Sequence, residues 1–212
     1  MKKSTTIYLV HHSLTPGDGT PNEKVRGWGG VGLTPKGRDL LKSTVDYLAD
    51  KNIGEIYSSD LPRAAETGEI LRSQLEIAHP LTQRRGLRPM DVGVLVGQKR
   101  SDVDEALSDL KSRRWAKAPG GESFGRFLGR FGQELHRTIQ EALGENYNCA
   151  YVIHSHNFGV IPHLLSGGKK PAAFGDATKE AGVSILDVHD GGGRITYRPA
   201  VYNPAVARST PE

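Results

Sequence analysis

The sequence predicts an α/β fold: a three-layer α/β/α sandwich in which a mostly parallel sheet carries helices on both faces. Three observations predict it. Ile7-Tyr8-Leu9-Val10 and Ala150-Tyr151-Val152-Ile153 are continuous apolar runs, the pattern of strands buried on both faces. Segments of helical periodicity separate the strand candidates, and strands alternating with helices imply parallel pairing. The 212 residues, 36% hydrophobic and 25% charged, suffice for one domain with a sizeable core. No linker or internal repeat divides the chain, so residues 1–212 read as a single domain.

The first strand, 7–10, is entered from a polar tail. Residues 11–32, rich in Gly, Pro, Asp and Asn, read as a long loop. Thr34-Pro35 opens a helix, with Thr as the cap and Pro at the first helical position. Leu41, Val45 and Leu48 form its core stripe. Gly54 precedes a short strand at 55–58. Asp60 is placed to cap a second helix, in which Ala64, Ala65, Ile70 and Leu71 can pack. Residues 87–97 are irregular, punctuated by Pro89, Gly93 and Gly97. Ser101 with Asp104 three residues on resembles a capping box for a short helix through Leu110. Residues 111–121 form a basic, Gly-ended loop. Ser123 begins the clearest helix, in which Phe124, Phe127, Leu128, Phe131, Leu135 and Ile139 share one face. The strand at 150–153 runs into His154-Ser155-His156 and a helix near 158–165. Residues 183–188 and 194–198 flank Asp190-Gly191-Gly192-Gly193, a hairpin signature. The tail from about Pro204 is expected to be poorly ordered.

Composition narrows the function classes. The 26 glycines and 12 prolines stay below the ~25–30% of a low-complexity chain. No apolar run approaches the ~18 residues of a membrane span, and the run at 7–10 is too short for a signal-peptide core. The single Cys149 excludes an intramolecular disulfide framework and a Cys-based zinc cluster, and suits a reducing cytoplasm. A net charge of +4 fits an anionic ligand, phosphate ester or nucleic acid, and chooses neither.

In open α/β sheets, ligands sit at the carboxyl ends of the strands. Three strand ends here carry chemistry: His11-His12, then Ser58-Ser59-Asp60 leading to Arg63, then His154-Ser155-His156. Any one histidine reads most simply as a satisfied core or surface residue. Four of the eight histidines following two buried strands point to a shared site. Histidine, arginine and hydroxyl together make a phosphate site. Arginine grips two oxygens with a planar fork, a helix N-terminus adds N–H donors, and a neutral imidazole can attack phosphorus. Carboxylates are too few at these ends to favour a metal, and no metal or cofactor is expected.

Five segments carry a family resemblance over nearly the whole chain. Leu9-Val10-His11-His12-Ser13-Leu14-Thr15 resembles the Leu-Val-Arg-His-Gly-x-Thr signature of the histidine phosphatase superfamily, which includes the phosphoglycerate mutases. Gly27-Trp28 through Leu33-Thr34-Pro35-Lys36-Gly37, Ser58-Ser59 through Arg63 and Thr67, Gly120-Gly121-Glu122-Ser123, and Val152-Ile153-His154-Ser155-His156-Asn157 are similar to its other blocks, in family order. The resemblance implies a phosphoglycerate mutase-like fold and a metal-independent phosphomonoesterase. It makes His12 the nucleophile, Arg63 the phosphate grip and His156 the second histidine. His11, Ser13, Thr15, Glu122 and Asn157 would line or support the phosphate pocket, and a lid or insert of about 99–121 would cover it. The implied partner is a small phosphorylated substrate, with no membrane; a homodimer stays open.

Two departures stand out. His11 replaces the signature arginine, a permanent charge. Pro89 occupies the slot of the family's glutamate acid, so Asp91 becomes the candidate acid, with Glu122 as its rival. Ser13 replaces a glycine beside the nucleophile. The alternatives are a degenerate phosphatase that binds a phosphorylated ligand or partner without turnover, a mutase-type phosphotransferase, and a nucleic-acid binder using Lys111-Ser112-Arg113-Arg114-Trp115-Ala116-Lys117. Steering an anionic substrate is the better reading of that basic run. Local alternatives also exist. Arg63 could pair with Glu66 or Glu69, Asp91 could be an ordinary loop carboxylate, and Glu122 could serve the helix dipole.

Overall fold

The computed structural model describes residues 4–172, 178–189 and 193–204. One six-stranded sheet runs through it: β1 (Ser4–His11), β2 (Ile53–Ser58), β3 (Thr82–Gln83), β4 (Asn148–Ile153), β5 (Val183–His189) and β6 (Arg194–Tyr202), in the order β3-β2-β4-β1-β5-β6. β3, β2, β4 and β1 are parallel, while β5 and β6 continue the sheet antiparallel. The five helices are α1 (Pro35–Leu48), α2 (Pro62–Gln74), α3 (Arg100–Ser112), α4 (Phe124–Gly144) and α5 (Ser155–Leu165). Among the described residues, no helix is long and apolar enough to cross a membrane.

The apolar run of β1 works on both faces, as a central strand must. Tyr8 and Val10 join the α1–α2 layer with Leu40, Leu41, Leu48 and Leu71. Ile7 and Leu9 join the α4 layer with Phe127, Phe131 and Leu135. The stripe from Phe124 to Ile139 is buried throughout, and Ser123 caps α4 by accepting from the Arg126 N–H. Thr34 caps α1 in the same way, accepting from Gly37.

Two expected caps are wrong. Asp60 does not cap α2. Pro62 takes the first helical position, Leu61 becomes the N-cap, and Asp60 is drawn instead into two 2.6 Å bonds with the Arg88 guanidinium. A charged bidentate fork outcompetes one cap hydrogen bond. Ser101 with Asp104 forms no capping box. α3 starts at Arg100, so Ser101 lies inside the first turn and Asp104 pairs with Arg100 at 2.7 Å. α3 also runs on to Ser112, which makes Lys111 a helical residue rather than a loop residue. The hairpin of β5 and β6 forms, but its turn at 190–192 and the tail from 205 lie outside the described residues.

The topology sets the carboxyl ends of β1, β2 and β4 side by side. The His12 N–H donates to Ile153 O at 3.1 Å, and the Ser59 N–H donates to Val152 O at 3.0 Å. Both histidine-bearing strand ends are thus stitched together by main chain before any side chain acts.

Phe127, fully buried at the centre of the α4 layer, tests this packing. Phe127→Ala is expected to lower unfolding free energy by about 3–5 kcal/mol, read from urea denaturation. A loss under about 1 kcal/mol contradicts a core anchored on this stripe.

Candidate active site

A cavity of about 420 Å³ opens over these strand ends. Its inner wall carries His11, His12, Arg63 and His154, with His156 at its side. His12 hangs from the end of β1. Its Nδ1 lies 2.9 Å from Ser13 O. A carbonyl only accepts, so Nδ1 carries the proton and Nε2 keeps a lone pair in the neutral ring. Arg63 Nε donates to that Nε2 at 3.2 Å.

Arg63, at the second position of α2, is only 2% exposed. Its guanidinium donates to Gly29 O at 3.1 Å and Gly27 O at 2.9 Å. Glu66 and Glu69, the alternative partners, pair with Arg38 and Arg72 instead. The loop that supplies the carbonyls needs Gly27, whose φ is +44° and whose missing Cβ would come within 2.8 Å of Val96. Trp28 then docks the loop: its Nε1 donates to Pro89 O at 2.8 Å, and the Arg88 guanidinium lies 4.6 Å from its ring centroid.

The structure sets His154, rather than His156, against the nucleophile candidate. The His154 ring centroid is 5.0 Å from that of His12, with His11 at 4.7 Å on another side. His154 is buried, and neither ring nitrogen bonds another described residue. It is held by its main chain: its N–H donates to Asn157 Oδ1 at 3.1 Å. His156 stands farther out, 6.4 Å from the Phe127 ring and facing Arg100 and Lys111. The sequence signal was ambiguous here, because His154-Ser155 repeats the pattern of His12-Ser13 just as well as Ser155-His156 matches the Ser-His block.

Several predicted contacts support the site from behind. Ser13 Oγ donates to Gly37 O at 2.7 Å, and its N–H donates to Thr67 Oγ1 at 3.1 Å, so its hydroxyl faces α1 and not the cavity. Thr15 is tied to Asp18, and the Arg26 Nε donates to its Oγ1. Asn157 is committed to His154 and to Arg88 O. His11 does line the cavity, with its Nδ1 3.0 Å from Thr178 O.

The two expected acids are not brought to the site. Asp91 Oδ1 accepts from the Gly93 N–H at 3.0 Å, closing its own loop. Glu122 pairs with Arg130 at 2.6 Å and accepts from the Asp91 N–H at 3.0 Å. Neither lines the cavity, whereas Pro89 does. The physical reason is local. The Gly93 N–H claims Asp91, and the Asp91 N–H together with Arg130 claims Glu122.

Arg26, Lys24 and Arg100, missed in the sequence, complete the wall together with Lys111 of the basic run. The cations act on one another. Burial, then Arg26, pushes Arg63 down to about 10. Burial, then Arg100, pushes Lys111 down to about 8. Burial holds His12 and His154 well below the ordinary imidazole range, with His11 and Arg63 adding to it for His12, and Arg63 and His12 for His154. Burial, then Lys111 and Arg100, takes His156 to about 3. The result is that His12, His154 and His156 are neutral rings with cations around them. The basic run from Lys111 to Lys117 is not one platform: Lys111 turns into the cavity, Arg113 pairs with Asp109, and Trp115 stands 70% exposed.

The sequence matches the histidine phosphatase superfamily (branch 1) over residues 7–198. It is 30% identical over 157 residues to 6-phosphofructo-2-kinase/fructose-2,6-bisphosphatase 4 from Homo sapiens, an alignment that spans 70% of this chain but only 30% of the human protein. It is 29% identical over 192 residues to phosphoglycerate mutase-like protein 4 from Arabidopsis thaliana, covering 87% of this chain and 80% of that one. Among solved structures, the phosphoglycerate mutase of Bacillus anthracis superposes with a TM-score of 0.78 at 22% identity, covering 93% of each chain. A mycobacterial glucosyl-3-phosphoglycerate phosphatase bound to VO3 superposes with a TM-score of 0.76 at 20% identity, covering 94% and 99%.

Three histidines kept neutral by their surroundings make stability depend on pH. Their folded affinities for protons lie below the unfolded value of about 6.5. The stability they share with the fold is therefore complete above pH 6.5 and is lost as pH falls, by about 1.4 kcal/mol per pH unit for each group. Urea denaturation between pH 7.5 and 5 is expected to show this acid loss, smaller in His154→Gln. A flat profile contradicts the buried neutral state.

Proposed function

The chain belongs to the histidine phosphatase superfamily (branch 1), and from that premise we propose that it hydrolyses a phosphomonoester through a phosphohistidine on His12. The carrying observation is the state of the His12 ring. Ser13 O pins Nδ1–H, so the lone pair lies on Nε2, where the buried Arg63 Nε–H holds it until a phosphate oxygen takes that donor. Nε2 attacks phosphorus while the bond to the ester oxygen breaks. Water then attacks the phosphohistidine, the P–N bond breaks, and Nε2 regains its lone pair.

Arg63 has five N–H groups and spends one on His12 and two on carbonyls, which leaves two for phosphate oxygens. On this reading His154 takes the place beside the reacting group that sequence reading assigned to His156, and its neutral ring carries one N–H that can donate to a phosphate oxygen. The carbonyl clamp fixes Arg63 before substrate arrives, so its field costs no reorganisation during reaction.

The outer cavity supports a substrate with a second anionic group. Lys24, Arg100, Lys111 and Lys179 lie beyond the inner wall, and Lys111 is held in a poorly hydrated place beside another cation. An anion there relieves both. His156, at this level, belongs to this outer group in the proposal.

His12→Ala is expected to lose turnover of 4-nitrophenyl phosphate by roughly 10³-fold or more, and rapid quench should place acid-labile phosphate on His12 in the native chain. Label on a hydroxyl, or turnover that survives the change, removes the mechanism. Tight vanadate binding without any turnover supports the degenerate binder instead.

Lys111→Ala is expected to raise KM for a doubly anionic phosphate compound by about 10–100-fold, the worth of a charged hydrogen bond, with little change for a singly anionic alkyl phosphate. Equal shifts for both substrates place Lys111 outside the subsite.

A further inference from the structure

We infer that Glu180 is the proton donor to the leaving group, an inference that rests on the phosphohistidine reading above. The two carboxylates in the family-like acid region are spent elsewhere, Asp91 on Gly93 and Glu122 on Arg130. Three carboxylates line the cavity: Asp18, Glu23 and Glu180. Asp18 uses both oxygens, on Arg26 and on Thr15. Glu23 pairs with Arg26 at 3.5 Å and accepts from the Gly19 N–H. Among the described residues, neither a hydrogen bond nor an ion pair holds Glu180, and it is only partly buried.

Its backbone is fixed to the nucleophile strand. The His11 N–H donates to Gly182 O at 3.0 Å, and the Ala181 N–H reaches His11 O at 3.2 Å and His12 O at 3.3 Å. Thr44 Oγ1 donates to Ala181 O at 2.7 Å from the opposite side. Glu180 thus sits one residue from an amide bonded to the carbonyl of His12. These bonds hold Ala181 at φ +60° although it is fully buried, a conformation an alanine adopts only when its surroundings impose it. The turn that presents Glu180 to the cavity is therefore a constrained device attached to the catalytic strand, not a loose loop.

The protons balance. As His12 Nε2 attacks, the P–O bond breaks and its electron pair goes to the ester oxygen, which takes the Glu180 carboxyl proton. The products are an alcohol, phosphohistidine and the Glu180 carboxylate. In the second half, the carboxylate takes a proton from the attacking water, the P–N bond breaks, and phosphate leaves with Glu180 again protonated.

The experiment uses the full chain and a series of phosphates running from 4-nitrophenyl, a leaving group that needs no proton, to simple alkyl esters that do. Glu180→Gln is expected to change the alkyl-to-nitrophenyl ratio of kcat/KM by ~10²–10⁴-fold, and Glu180→Asp to recover part of it. A merely structural residue shifts both substrates together, so an unchanged ratio overturns the assignment. Native protein confined to activated esters overturns it too, while leaving the phosphohistidine reading intact. Native protein that turns over neither ester and carries no phosphate on His12 brings down both.

Discussion

Burying Arg63 is the constraint on which the rest of the site depends. A guanidinium at 2% exposure has lost its water and must find acceptors in the protein. No carboxylate supplies them; a carboxylate would neutralise the charge and compete with a substrate phosphate. Main-chain carbonyls of Gly27 and Gly29 do so instead, giving dipoles without net charge. The loop geometry that turns those carbonyls inward explains Gly27, and the docking of Trp28 on Pro89 O explains why that loop holds its shape. A single buried cation thus dictates a glycine, an indole and the course of residues 26–30.

The same buried cation governs the histidines. His12, His154 and His156 are packed where a second positive charge is costly, and burial with neighbouring cations keeps them neutral. Neutrality is what the nucleophilic role proposed for His12 requires, since attack needs a lone pair. Meanwhile Arg63 and Lys111 are themselves pushed toward losing their protons, so the site is electrostatically incomplete. A phosphate dianion, the ligand proposed above, would restore the balance for all of them at once. On that reading, ligand affinity and nucleophile activation come from one arrangement.

The fold and the inner site were legible because strong local signals marked them. Apolar runs identified β1 and β4, the Thr34-Pro35 and Ser123 starts identified α1 and α4, and the strand-end histidines with Arg63 identified the cavity. What stayed illegible depended on competition between partners distant in sequence. Asp60 reads as a cap until Arg88, 28 residues away, claims it. Asp91 and Glu122 read as free acids until Arg130 and two loop N–H groups claim them. Spacing could not separate His154 from His156, because which ring meets His12 depends on where β4 ends and α5 begins, with His154 at the junction. Arg26 lay unread in a polar loop, and Glu180 lay beyond every motif.

The departures from the signature also have a common logic. Ser13 fits where glycine is usual because its hydroxyl turns back to Gly37 O, and Gly37 itself is pressed against Leu14, where a Cβ would stand 2.5 Å from the carbonyl. His11 cannot reach as far as an arginine, and its Nδ1 is spent on Thr178 O. That bond, with those of Ala181 and Gly182, fastens the 178–182 segment to the end of β1. An arginine there would project its charge into the cavity; the histidine instead anchors the neighbouring turn. The ring that stands in the arginine's place thus fastens the turn that carries Glu180. On the reading proposed above, the replacement exchanges a fixed charge on the phosphate for a group able to move a proton.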